Sequence, residues 1–309
     1  MKIIFMGSDR IALPLLEFLK SKATELWVVS GKDKPVGRGH EVKPNEISAW
    51  TLADKVTLHR PEKLDDAFHT MIQSFAPDLI FVMAYGKLLK QVLIDMPRLG
   101  IWNIHASALP ELRGASPIET AIAMGYEKTA VDLMKMKMAM DVGPVGASIP
   151  IEIPETMTSA QLREQIARVS AELVRKNWDA VASDKLVTVT QDDSKATYCR
   201  ILCKDDGWLD PNGEAKALVN HIRAFAEWPG AAFIYAGERL KVFEARLVDP
   251  TANTTNAPIQ TPPGTVLEAG ERLVVAAGRG NLEVLTLQRA GGKRLGAKEF
   301  LQGYPIQVG

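Results

Sequence analysis

The chain has 309 residues, enough for one large domain or two ordinary ones. Apolar residues make up 46% and charged residues 24%, and Lys plus Arg equals Asp plus Glu at 37 each, so no global basic field marks a nucleic-acid partner. The two signs balance again within 201–309, and any such partner must be met by a local patch. Cys199 and Cys203 form an isolated CxxxC without the further ligands a zinc site needs, and read as free thiols. The start MKIIFMGS turns polar too soon for a signal peptide, and no stretch approaches the roughly 20 apolar residues of a membrane span. A soluble, cytoplasmic monomer with no membrane partner is expected.

Lys2 to Met6 is a short apolar run stopped by Gly7-Ser8, and it reads as a strand. Leu13, Leu16 and Leu19 then share a helical face, and Leu26 to Val29 is a second strand. Strand, helix and strand with short connections predict a parallel sheet. Further buried strands are expected at Leu79–Met83 and Ile101–Ile104, with an edge strand at Thr129–Met134, whose pattern is mixed. Leu162, Ile166, Val169 and Leu173 recur at helical spacing and predict a long helix from Thr158 to about Ser183. The texture then changes. One helix over Glu214–Phe225 precedes five short strands, at Ala232–Tyr235, Leu240–Leu247, Gly264–Glu268, Arg272–Ala277 and Leu282–Gln288. Close spacing and Gly/Pro turns predict a small barrel, with the Thr- and Pro-rich 249–263 as a surface loop. The expected architecture is a Rossmann-like, doubly wound α/β domain over 1–188, a linker over 189–206, and an OB-like β-barrel domain over 207–309.

A sheet of this kind often binds a nucleotide, but the motifs are missing. The first turn, Gly7-Ser8-Asp9-Arg10, has one glycine of the GxGxxG fingerprint, and there is no GxxxxGK[ST]. The informative stretch is Trp102-Asn103-Ile104-His105. Side chains alternate along a strand, so Asn103 and His105 project together, an amide donor beside a titratable imidazole. Ser107-Ala108-Leu109-Pro110 follows as an ordered loop, since a helix does not run into its Pro. Asp141 sits in a Gly/Pro turn after a Met-rich strand, as either an inward carboxylate or a plain turn residue.

The order Asn-x-His, Ser-x-Leu-Pro, Arg-Gly-Ala-x-Pro-Ile and Asp-x-Gly resembles the formyltransferase family that uses 10-formyltetrahydrofolate. The branch acting on methionyl initiator tRNA is matched by Ile3-Ile4-Phe5-Met6-Gly7-Ser8, by Asp33-Lys34-Pro35-Val36-Gly37-Arg38-Gly39, by Ala84-Tyr85-Gly86 and by Met96-Pro97-Arg98-Leu99-Gly100. Ile222-Arg223-Ala224-Phe225 with Trp228-Pro229, Pro263-Gly264-Thr265-Val266 and Leu285-Thr286-Leu287-Gln288 continue the match into the second domain. The chain departs from the family pattern at Ser8-Asp9-Arg10, where Thr-Pro-Asp is usual, at Ala108 in place of Leu, and at Pro144 in place of Asp.

The resemblance implies formyl transfer from 10-formyltetrahydrofolate, with no metal, to the amino group of methionyl initiator tRNA. Asn103 and His105 would stabilise the oxyanion, and Asp141 would take or relay the proton of the attacking amine. Ala84, Tyr85, Gly86 and the loop Ser107, Ala108, Leu109, Pro110 would contact the folate. Arg38 and Lys43, in a loop that also carries Lys32 and Lys34, would meet the tRNA acceptor stem. A second tRNA contact is expected at Arg289, Lys293 and Arg294, which lie with Lys298 in a run, 289–298, free of acidic residues. The same motifs leave open an amino-sugar nucleotide as acceptor, hydrolysis of the formyl donor, or a non-catalytic homologue that binds folate or tRNA.

Overall fold

In the computed structural model, residues 1–36, 41–248 and 261–309 are described. The first apolar run is strand β1 (Lys2–Met6), with Ile3 to Met6 fully buried. Helix α1 (Leu13–Lys22) follows, with Pro14 in its first turn, where a missing N–H costs nothing. Its buried face is Leu15, Leu16, Phe18 and Leu19, while Leu13 stays half-exposed at the helix start. Strand β2 (Glu25–Val29) leads to a hairpin of β3 (Lys34–Val36) and β4 (Glu41–Lys43). Asn45 and Asp65 accept backbone N–H groups and start α2 (Glu46–Ala53) and α3 (Asp66–Phe75), with β5 (Thr57–His59) between them. Next come β6 (Leu79–Val82), α4 (Gln91–Ile94), β7 (Ile101–His105), β8 (Arg113–Gly114), α5 (Pro117–Ala123), β9 (Lys128–Lys135), β10 (Val145–Glu152), α6 (Ser159–Ala182) and β11 (Tyr198–Cys199).

Seven strands form one sheet in the order β10-β9-β7-β6-β1-β2-β5. From β7 to β5 they run parallel, and β9 is antiparallel to both β7 and β10. Chain order turns back on itself between β1 and β6. The carboxyl ends of strands at such a switch point are where open α/β sheets bind ligands. The backbones of the two turns there are joined by the Ser8 amide donating to Ala84 O at 3.2 Å. Gly7 makes this approach possible, since a Cβ on it would fall 2.5 Å from Met83 O. Strand β9 is not the edge its mixed pattern suggested. It pairs on both sides, and the edge is β10, where Pro150, which has no N–H to donate, is tolerated.

The chain divides into two compact units. One comprises Met1–Pro117, Lys128–Glu152 and Arg163–Arg200; the other comprises Ile118–Glu127, Ile153–Leu162 and Ile201–Gly309. Part of the stretch read as a linker is thereby built into the first unit: β11 pairs with β8. In the second unit, α7 (Ala215–Phe225) precedes β12 (Ala232–Tyr235), β13 (Glu238–Leu247), β14 (Val266–Ala269), β15 (Leu273–Ala276), β16 (Asn281–Arg289) and β17 (Leu295–Gly296), then α8 (Ala297–Gly303). The antiparallel sheet runs β12-β13-β16-β15-β14, with β17 on β16, as a partly open barrel around Leu218, Ile222, Leu240, Val242, Leu273, Val284, Leu287 and Phe300. The surface loop expected at 249–263 falls mostly outside the described residues. None of the helices among the described residues is long and apolar enough to cross a membrane.

Candidate active site

The three expected catalytic residues come together at the carboxyl end of β7. Asn103 and His105 are both buried and share a face of the strand. The Asn103 amide makes no hydrogen bond among the described residues, so its N–H groups are free to donate to a ligand. His105 Nε2 lies 3.1 Å from Leu112 O. A carbonyl only accepts, so Nε2 carries a proton and donates it, which leaves Nδ1 as the nitrogen that faces the site. Asp141 Oδ2 lies 3.8 Å from Nδ1. That is too long for a direct hydrogen bond, though it places a carboxylate beside the ring.

Asp141 owes its place to backbone geometry. It sits at φ +52°, a left-handed conformation that Asp tolerates better than most residues, in the turn between β9 and β10. Its Oδ2 accepts the Gly114 amide at 2.8 Å, and Gly143 lets the turn close, because a Cβ there would fall 1.9 Å from Lys135 O. Gln191 locks the turn from outside. Its Nε2 donates to Asp141 O at 2.8 Å and Gly143 O at 2.6 Å, while its Oε1 accepts the buried Arg113 guanidinium at 2.8 and 3.1 Å. Arg113 is held in turn by Asp193 at 2.6 Å.

The loop Ser107–Pro110 is stapled as well. Ser107 is buried and its hydroxyl donates to Glu111 O. The Leu109 amide donates to Asp132 Oδ2 at 2.8 Å, and Thr197 takes up Pro110 O and the Leu112 amide through its backbone N–H and its hydroxyl. Ala108, Leu109 and Pro110 remain half-exposed. In the other expected folate turn, Ala84 and Gly86 are exposed with φ of +51° and +71°, but the Tyr85 ring turns into the core beside Ile4, Met6 and Phe68. Burial pushes the Tyr85 phenol up to about 12, and its hydroxyl has no partner among the described residues. That turn therefore offers a ligand backbone atoms rather than the ring.

The Formyl transferase family matches residues 1–176, and the family of its C-terminal domain matches 201–305. A methionyl-tRNA formyltransferase of Pelobacter propionicus is 36% identical over 99% of this chain and 94% of its own length. One of Moorella thermoacetica is 34% identical over 100% of this chain and 98% of its own. The chain belongs to the methionyl-tRNA formyltransferase family. The likeness to a solved N-formyltransferase from Helicobacter canadensis extends to the fold alone, at 16% identity, a TM-score of 0.68, and 94% of this chain against 100% of that one.

The family's second substrate was expected at basic residues, and these are arranged differently from the motif residues. Arg38 lies outside the described residues. Lys43 is exposed on β4, and Lys32 pairs with Glu62 at 3.0 Å. Arg289 makes a two-pronged pair with Glu238, both contacts 3.0 Å, and stacks 4.3 Å from the Tyr304 ring. Arg294 pairs with Glu244 and lies 4.5 Å from the Phe243 ring, and Lys298 pairs with Glu271. In the run 289–298, Lys293 is the one basic side chain with no ion pair among the described residues. The acids come from β13 and the turn before β15, so a reading of the run by itself could not see them.

Two residues at the site had no motif to announce them. Gln191 falls in a stretch read as a linker, and only the fold brings it to the Asp141 turn. Asp132 lies in a run read as an edge strand, where a polar residue reads as solvent-facing. The available signal was that β9 is otherwise apolar from Ala130 to Met134, so an Asp within it needed a buried partner.

Proposed function

We propose that this protein transfers the formyl group of 10-formyltetrahydrofolate to the amino group of methionyl initiator tRNA. The observation that carries the reading is likeness at 36% identity along both domains to enzymes of that name, joined to an unengaged Asn103 amide beside His105. Folate-bound neighbours in the fold support the class of donor, and an amino-sugar formyltransferase resembles the chain only at 16% identity.

The amine attacks the formyl carbon, and the formyl oxygen takes up negative charge. Asn103 and Nδ1–H of His105 donate hydrogen bonds to it; both are held in place before reaction, which makes such donors effective. The nitrogen becomes cationic on attack and gives a proton to Asp141, directly or through a water, and that proton passes on to N10 of the folate as the intermediate collapses and the bond from the formyl carbon to N10 breaks. The folate lies against the backbone of Ala84-Tyr85-Gly86 and against Ser107, Ala108, Leu109 and Pro110. Arg38, Lys43, Arg289, Lys293 and Arg294 serve the tRNA, with Lys293 the least neutralised of the described members. The protein acts as a cytoplasmic monomer.

The test is formyl transfer from 10-formyltetrahydrofolate to methionyl initiator tRNA, to a dTDP-linked amino sugar and to water, measured side by side. Transfer to the tRNA at a kcat/KM far above the other two is expected. Faster transfer to the sugar, or none to the tRNA, overturns the assignment.

A further inference from the structure

Asp132 stands directly opposite His105 in the antiparallel pairing of β9 with β7, so the two side chains project from the same face of the sheet. It is 3% exposed. Its Oδ2 accepts the Leu109 amide at 2.8 Å, which ties the 107–110 loop to β9. A buried carboxylate is expensive, and neither the oxyanion donors nor the proton acceptor described above includes this one.

The groups around it are few. On β7 there is His105. On β10 the register brings Ser148, a hydroxyl, opposite it. The 107–110 loop offers the Leu109 amide and no charged side chain. Asp141, in the β9–β10 turn, approaches His105. His105 thus has a carboxylate near it from the turn and another from the neighbouring strand, and Asp132 also holds the loop on which the folate is proposed to rest.

We propose that Asp132 is a positioning residue for formyl transfer: it anchors the 107–110 loop through the Leu109 amide and, with Asp141, places negative charge beside His105. The inference rests on the formyl-transfer reading above. Burial pushes the Asp132 carboxyl up to about 6, against the pull of Ser148, the Leu109 amide and His105. Its charge therefore changes near pH 6.

Two substitutions separate the two roles. Asp132→Asn keeps an oxygen for the Leu109 amide and removes the charge; Asp132→Leu removes both. Steady-state kinetics over pH 5–9 and binding of 5-formyltetrahydrofolate by calorimetry are the readouts. For Asp132→Asn, folate affinity and KM should stay within about twofold, while kcat falls about tenfold above about pH 6, where the wild-type carboxyl is ionised, and changes little below it. For Asp132→Leu, folate affinity should fall by a further factor of about five or more, the loss expected for a broken buried hydrogen bond. If that variant does not fold, Asp132→Ala carries the same pair of measurements. An Asp132→Asn profile and kcat equal to wild type overturn the charge role, and equal folate affinities in the Asn and Leu or Ala variants overturn the anchor. Wild-type protein that transfers no formyl group would instead overturn the functional reading, and the binding arm would still test the anchor.

Discussion

The β7 site and the 289–298 run both carry polar side chains that the sequence offers for function, and the fold treats them in opposite ways. At the β7 site the side chains are few and largely enclosed; backbone atoms fix two of them, Leu112 O on His105 and the Gly114 amide on Asp141, and Asn103 is left without a partner among the described residues. In 289–298 the basic side chains are exposed, and three of the four are matched with carboxylates from β13 and the turn before β15. Exposed ion pairs contribute little stability, but they offset most of the positive charge that a polyanion would meet here. A cluster of like charge in a sequence is thus not yet a field in space, whereas two residues spaced by two on a central strand already form a geometry.

Substitutions at the two regions test this contrast. The largest effect belongs to the preorganised donors. His105→Ala should lower turnover by roughly 10²–10⁴ and Asn103→Ala by roughly 10²–10³, with folate binding retained. Near-normal turnover in a folded variant of either would remove the oxyanion assignment. Asp141→Asn comes next, since Asn also tolerates φ of +52° and the turn should hold. A loss of about 10² in kcat is expected, together with a changed pH–rate profile. An unaltered profile would reduce Asp141 to a turn residue. Gln191→Ala leaves the carbonyls of Asp141 and Gly143 without their donor, and a loosened turn should cost about tenfold in kcat with little change in folate affinity. Wild-type kinetics would show that the Gly114 amide suffices to hold the turn.

The smallest effect lies in the second unit. The double variant Lys293→Ala with Arg294→Ala should raise KM for tRNA and reduce the slope of log affinity against log salt by at most about two units. The pairing of Arg294 with Glu244 points to a value nearer one, because a guanidinium already neutralised displaces fewer counterions. Identical salt dependence in variant and wild type would remove the run from tRNA binding.

How much could be read from the sequence follows from the range of the interactions. Strands with continuous apolar runs, such as Leu79–Val82 and Ile101–His105, and the helices near 159–182 and 215–225 announce themselves by local periodicity. The five strands expected in the second unit lie within two residues of their observed bounds, and the short β17 (Leu295–Gly296) was not among them. Strand β10 went unnoticed, because Gly146, Pro150 and alternating exposure give an edge strand little apolar signal. The Asn103–His105 pair needed only strand alternation. The roles of Gln191 and Asp132 needed partners 50 and 23 residues away, which no local pattern encodes.

The burial of Asp132 also bears on how the protein withstands changes of pH. Its carboxyl is raised from 3.8 to about 6 in the folded state. The native chain therefore binds this proton more tightly than the unfolded chain does, and the associated stability is present below about pH 4 and lost as pH rises through 6. At neutral pH the fold carries an ionised group in a dry place, at a cost of up to about 3 kcal/mol. Replacing Asp132 by Asn should consequently raise the melting temperature at pH 8 by roughly 5 °C and change it little at pH 4. A gain of equal size at both values would show that the carboxylate charge is not what strains the fold. For this one position, the substitution that blunts the catalyst is the one that hardens the protein, and the hardening grows toward alkaline pH.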